Sequence, residues 1–168
     1  MPPIEWTVDA LAPLLEDFLE PVLDAADFDL DYDIYEVKKK SAFISPDIAV
    51  EFEGPDVDLL LSQRGEVLLA LEQLTLEALR IPHEDRFRII FDAKDYRMLR
   101  IEELRLSAEA AAEQVKASGR AFEFGPMTSR ERRIIHIALR EDEAVTTTSE
   151  GVPPRRCAVV HPKRSERK

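Results

Sequence analysis

The chain has 168 residues, 45% of them apolar, with 34 acids against 23 lysines and arginines and a formal net charge of −11. That length and apolar share support one packed domain or two small ones and exclude global disorder. A single cysteine, Cys157, excludes an internal disulfide framework and fits a reducing compartment. No apolar run reaches the length of a membrane span, and the first twenty residues carry Glu5, Asp9, Glu16, Asp17 and Glu20, unlike a signal or transit peptide. A cytoplasmic protein with no membrane insertion is expected. The charge is polarised: residues 1–60 hold 16 acids and 3 bases, residues 61–125 hold 12 and 10, and residues 126–168 hold 6 and 10. The overall acidity therefore hides a basic C-terminal segment.

In chain order, Leu11, Leu14, Leu15, Phe18, Leu19, Val22 and Leu23 recur at helical spacing over residues 8–25. Pro13 and Pro21 leave two arrangements open: a helix that starts at Pro13 and kinks at Pro21, or two short pieces. Phe28 to Val37 alternates and predicts a half-exposed strand, followed by the run Lys38-Lys39-Lys40, of a kind more often solubilising than functional, and a second strand over Ile48 to Glu53. A short helix over Asp56 to Leu61 is followed by the loop Ser62-Gln63-Arg64-Gly65 and a longer helix. Leu68, Leu71, Leu74, Leu76 and Leu79 supply the core positions of that helix. A third strand is predicted from Arg86 to Asp92, with Phe87, Ile89 and Phe91 on one face.

A long helix is predicted from Asp95 to Ser118, with an apolar stripe of Met98, Ile101, Leu104, Ala108, Ala111, Ala112 and Val115 and with Gly119 as its C-cap. Leu99 and Leu106 fall off that stripe. Ala121 to Phe124 reads as a strand. Thr128 followed by Glu131 is a capping box that starts another helix, with Pro126 keeping the preceding chain out of it. Ile134, Ile135, Ala138 and Leu139 project to one side of this helix, and Arg132, Arg133, His136 and Arg140 to the other, a pattern suited to reading an anion. Solvated helix-end cations would give the same pattern. Ala144 to Gly151 and Arg155 to Val160 predict a hairpin around the turn Val152-Pro153-Pro154. Arg155 and Arg156 would join the helix in a compact cationic surface. The tail Lys163-Arg164-Ser165-Glu166-Arg167-Lys168 reads as a basic disordered segment.

Glu131-Arg132-Arg133-Ile134-Ile135-His136, Thr148-Ser149-Glu150-Gly151, and Pro154-Arg155-Arg156 with Val159-Val160 resemble the R-3-H domain, named for an arginine and a histidine three residues apart, here Arg132 and His136. More narrowly, residues 8–162 resemble bacterial Jag-type (SpoIIIJ-associated) proteins, in which a KH domain precedes that module. Tyr96-Arg97 after Asp92-Ala93 resembles the family's junction. The resemblance implies an α+β chain: a KH-like domain (α-β-β-α-α-β) over residues 1–94, then a small R-3-H domain over residues 95–162 that includes the long connecting helix and a three-stranded sheet, then the tail at 163–168. The family's additional N-terminal domain is expected to be missing. Single-stranded RNA binding is implied, with single-stranded DNA an alternative, along with a small KH-domain partner protein or a second copy of the chain. A link to control of cell elongation and division is also implied.

On this resemblance Arg132, Arg133, Arg140 and Arg155 or Arg156 would contact phosphates or stack on bases. His136 would donate a hydrogen bond, stack, or orient Arg132. The loop Ser62, Gln63, Arg64 and Gly65 corresponds to the KH Gly-x-x-Gly loop, which lets a nucleic-acid backbone approach closely. It departs from that pattern at Ser62, which adds a side chain and is less free to adopt positive φ, while Glu66, Asp56 and Asp58 oppose a phosphate. Two readings stand: a nucleic-acid binder acting mainly through the C-terminal module, or a protein-contact scaffold whose KH half has lost most RNA affinity. His83, His136 and His161 are scattered, Cys157 has no partner at metal-ligand spacing, and no nucleotide fingerprint is present. Neither catalysis nor a metal or other cofactor is expected.

Overall fold

A computed structural model describes residues 5–38 and 41–163. Lys39, Lys40 and most of the basic tail lie outside the described residues. The chain is α+β and folds as two compact units that divide between Arg97 and Met98. Among the described residues no helix is long and apolar enough to cross a membrane.

In the first unit, α1 (Val8–Ala25) is a single helix that carries both prolines in its interior, rather than either of the interrupted arrangements. Thr7 caps it by accepting a hydrogen bond from the Ala10 amide at 3.4 Å. Leu11, Leu15, Leu19 and Leu23 are buried at i, i+4 spacing, whereas Pro13 and Pro21 are exposed. The hydrogen bonds lost to proline thus fall on the solvent-facing side, and the leucine stripe holds the helix through both prolines. β1 (Asp31–Glu36) pairs antiparallel with β2 (Ile48–Glu53), and β2 pairs parallel with β3 (Ile89–Asp92), giving the order β1-β2-β3. Ile48, Val50, Phe52, Ile89 and Phe91 pack with the leucines of α1 and of α2 (Val57–Ala78) in one core. Leu68, Leu71 and Leu76 of α2 join that core and Leu79 borders it, but Leu74 is exposed.

The predicted third strand is shorter than its alternation suggests. His83–Arg88 forms a 3-10 turn and Phe87 is exposed. Arg86 donates to the Ile81 carbonyl (3.2 Å) and to Glu77 (2.7 Å), and Arg88 donates to Asp47 (2.5 Å) while lying 4.1 Å over the Trp6 ring. These polar ties curl the backbone before the buried run Ile89-Ile90-Phe91 begins. The buried Glu72 closes the unit: its Oε2 accepts from the Phe91 amide (2.9 Å) and from Arg97 Nη2 (2.8 Å), and Arg97 Nε donates to the Phe91 carbonyl (2.9 Å).

α3 (Tyr96–Ser118) begins at this anchor and continues into the second unit. Ile101, Leu104, Ala108, Ala111, Ala112 and Val115 are buried as the stripe predicts, but Met98 is exposed together with Leu99 and Leu106. Gly119, at φ +68, caps α3 by donating to the Val115 carbonyl at 2.8 Å. β4 (Phe122–Glu123), α4 (Ser129–Ala138), β5 (Val145–Glu150) and β6 (Cys157–Pro162) follow, with an antiparallel sheet in the order β4-β6-β5. Among the predicted boundaries that shift, two bear on the cations. Arg140 lies just past the end of α4, and Arg155 and Arg156 belong to the hairpin turn rather than to β6. The turn starts at Gly151 (φ +83), where a Cβ would stand 3.0 Å from the Arg155 carbonyl oxygen, so a side chain there is both strained and crowded.

Because Glu72 serves a largely buried guanidinium and a buried amide at once, Glu72→Ala takes the same partner from both and should cost about 3 kcal/mol in urea unfolding. Asp58 pairs with Lys94 on the surface, with both side chains more than half exposed, and Asp58→Ala should change stability by less than about 0.5 kcal/mol.

Candidate nucleic-acid interface

The capping box read from Thr128 and Glu131 is present. Thr128 Oγ1 accepts from the Glu131 amide (3.2 Å), and Glu131 Oε2 accepts from the Thr128 amide (2.8 Å). The other oxygen of Glu131 accepts from Arg100 of α3 at 2.8 Å, so the start of α4 is fastened to α3 by a bridge in which both side chains are largely buried. With that end fixed, Arg132 and His136 face β5. Arg132 Nη1 donates to the Met127 carbonyl (2.8 Å), Nη2 to Ser129 Oγ (2.9 Å) and Nε to Ser149 Oγ (3.2 Å). His136 Nδ1 lies 2.6 Å from Thr147 Oγ1, and its Nε2 lies 3.0 Å from the same Ser149 hydroxyl.

Thr147 and Ser149 were not singled out individually by sequence reasoning. The signal lay in matched spacing. Residues i and i+4 of a helix are about 6 Å apart along its axis, close to the roughly 6.7 Å between residues i and i+2 of a strand. Arg132 and His136 therefore meet consecutive same-face hydroxyls of a Thr-Thr-Thr-Ser strand. The opposite face of β5 carries a separate cluster, in which Thr148 Oγ1 donates to Glu150 (2.7 Å) and His161 Nε2 lies 2.9 Å from both Thr148 Oγ1 and Glu150 Oε1.

The predicted contact residues of this unit fall into two groups. Arg132 and His136 are half-buried and held by the protein. Arg133, Arg140, Arg155 and Arg156 are exposed, and no ion pair engages them among the described residues. The Met127 amide donates to the Arg156 carbonyl at 3.1 Å, which sets the arginine-bearing hairpin turn against the segment that enters α4. Several neighbouring carboxylates are occupied elsewhere: Glu131 by Arg100, Asp142 by Lys116 at 2.7 Å, and Glu150 by His161. Cys157 is buried with its Sγ 3.4 Å from Glu123, and among the described residues no group of three or more His, Cys, Asp or Glu side chains could hold a metal ion.

The first unit carries the other predicted segment. Ser62, Gln63, Arg64 and Gly65 interrupt α2 with non-helical backbone, and the first three are exposed while Gly65 is buried. Ser62 adopts φ −57 and ψ 153, so serine meets no penalty for positive φ at this position, and its hydroxyl donates to the Leu59 carbonyl at 2.8 Å. The left-handed residues are instead Gln63, Arg64 and Gly65, at φ 49, 65 and 72. Two of the acids expected to oppose a phosphate are themselves partnered: Asp58 with Lys94 at 2.7 Å, and Asp56 with the Asp29 amide at 2.9 Å. Glu66 is exposed beside the loop.

Comparison with known proteins agrees with this organisation. The R-3-H domain family matches residues 102–162. The RNA-binding protein KhpB of Bacillus subtilis (strain 168) is 31% identical over 168 residues, covering 97% of this chain and 77% of that protein. The chain belongs to the KhpB family. The RNA-binding protein KhpB of Clostridium symbiosum is 33% identical over 153 residues, covering 90% of this chain and 66% of that protein. KhpB of Lactiplantibacillus plantarum is 33% identical over 111 residues, and the chain spans 34% of its length.

In this KhpB-family chain, burial and the nearby Arg132 guanidinium hold His136 below its ordinary value of 6.5, which favours the neutral ring in the folded state. The unfolded chain therefore binds the proton more readily. Stability is fully present above pH 6.5 and falls as the pH drops from there through the depressed folded value. Thermal melts at pH 7.5 and pH 5.5 should show this loss, and His136→Gln should remove the part of it that belongs to His136.

Proposed function

We propose that this chain binds single-stranded RNA, with Arg133, Arg140, Arg155 and Arg156 contacting the phosphates and the Arg132–His136–Ser149 cluster fixing the helix and hairpin that carry them. The observation that carries the reading is this division between anchored side chains and exposed arginines, with several neighbouring carboxylates already partnered while Glu141 and Glu143 stay exposed beside Arg140. The R-3-H match and the RNA-binding names of the KhpB relatives support it. Arg132 already donates three hydrogen bonds within the protein, which leaves it at most two N–H groups for a phosphate. His136 orients the surface through the shared Ser149 hydroxyl. The loop at residues 62–65 supplies a second contact in which Arg64 is the cation.

The chain on this reading is a nucleic-acid binder rather than an enzyme, acting in the cytoplasm as a regulator of RNA. Few exposed aromatic platforms are available, so affinity rests mainly on charge and falls with salt.

Fluorescence anisotropy of a mixed-sequence single-stranded RNA across a salt series tests the assignment. Replacing Arg133, Arg140, Arg155 and Arg156 together with alanine should weaken binding more than tenfold and flatten the plot of log affinity against log salt by about 0.7 for each phosphate no longer neutralised. Thermal stability should stay close to wild type, because all four side chains are exposed. Unchanged affinity and slope would assign RNA binding elsewhere.

A further inference from the structure

We infer that Tyr96, the first residue of α3, is a positioning residue for the 62–65 loop and sets its competence to receive a phosphate. The inference rests on the proposal that this loop contacts nucleic acid. Tyr96 lies 32 residues past Arg64 in sequence, yet its ring fills the space beneath the loop's glycine. A Cβ added to Gly65 would stand 2.9 Å from Cε1 and Cζ of Tyr96 and 3.1 Å from its hydroxyl oxygen. The hydroxyl donates a hydrogen bond to the carbonyl of Arg64.

Two consequences follow. Gln63 and Arg64 hold left-handed φ values of 49 and 65 without being glycine, a conformation that persists only where the surroundings enforce it. The Tyr96 hydrogen bond on the Arg64 carbonyl supplies that enforcement. It also fixes the peptide plane between Arg64 and Gly65. In a trans peptide the carbonyl and the following N–H point in opposite directions, so a carbonyl committed to Tyr96 turns the Gly65 amide away from the tyrosine. Gly65 remains a glycine because Tyr96 occupies the volume a side chain would need, in addition to the requirement of φ +72. The loop carries one glycine, and Tyr96 supplies conformational control that a second glycine would not: glycine permits the left-handed region, whereas the tyrosine enforces it.

The same contact places the loop beside the Glu72–Arg97 anchor, since Arg97 follows Tyr96 directly and is fixed by Glu72 and by the Phe91 carbonyl. Tyr96 is thus held at a set distance from the sheet, and the loop is positioned by the sheet rather than by its own flexible backbone.

The test uses the full chain and a single-stranded RNA oligonucleotide, comparing Tyr96→Phe, Arg64→Glu, Gly65→Ala, Tyr96→Ala and the Gly65→Ala/Tyr96→Ala double variant. Tyr96→Phe keeps the ring and removes only the hydroxyl. It should weaken binding about three- to tenfold, the range expected for one hydrogen bond, and speed hydrogen exchange of the amides of residues 63–65, with the melting temperature little changed. Gly65→Ala should weaken binding in the wild-type background and add less when Tyr96 is alanine, because the ring it would strike is gone. If Arg64→Glu weakens binding while Tyr96→Phe leaves both affinity and loop exchange unchanged, Tyr96 has no positioning role and the inference fails alone. Additive effects of the two alanine substitutions would overturn it as well. If Arg64→Glu itself leaves affinity unchanged, the loop does not touch RNA, and the proposal beneath the inference fails with it.

Discussion

The Ser149 hydroxyl is the point on which the C-terminal surface depends. It receives the Arg132 Nε–H and meets the His136 ring nitrogen, and so ties two successive turns of α4 to one position on β5. A serine oxygen accepts two hydrogen bonds and donates one, so a single hydroxyl satisfies both partners without a buried charge pair. A carboxylate in its place would bind Arg132 more tightly and would also cancel the positive field of the surface. The arrangement keeps the field and still fixes the geometry. From this anchor follow the pose of α4, the direction of Arg133, and the seating of the hairpin turn, where the Met127 amide reaches the Arg156 carbonyl while the Met127 carbonyl serves Arg132.

Charge is distributed by the same logic. An acidic chain binds an anion only if its carboxylates are kept away from the contact surface or given partners. Here most acids lie in the first unit, and several carboxylates of the second unit are used to hold structure: Glu131 caps α4 and bridges to Arg100, Asp142 pairs with Lys116, and Glu150 pairs with His161. Around the loop of the first unit the field is less favourable, since Glu66 remains exposed there. On the proposed reading, conformational control by Tyr96 carries more of the burden at that loop, and charge carries more of it at the C-terminal surface.

Much of the fold was legible where one physical cause dominated. The α4 start was readable because a capping box satisfies its own amides locally, and the bounds of β2 were readable because a buried run ends at Gly54-Pro55. Sequence reasoning failed where tertiary contacts decide. Pro13 and Pro21 suggested breaks in α1, but the buried leucine stripe carries the helix across them. Phe87 continued an alternating pattern, but ties from Arg86 and Arg88 curl that segment into a 3-10 turn. Ser62 departs from the glycine pattern at no conformational cost, because positive φ falls on Gln63, Arg64 and Gly65 instead. Within the candidate site, Arg132 and His136 could be named from spacing, but their engagement by Thr147 and Ser149 depends on the strand laid beside them. Helical projection alone made that face look open to solvent.

The most direct test of RNA binding through the C-terminal surface is a cross-linking map. Single-stranded RNA carrying photoreactive uridines would be bound to the full chain at moderate salt and irradiated, and the adducts located by peptide mass spectrometry. Adducts should concentrate in residues 127–140 and 146–156, around Arg133, Arg140, Arg155 and Arg156, with weaker labelling at residues 62–66. Adducts confined to the first unit, or none at any salt concentration, would contradict that assignment.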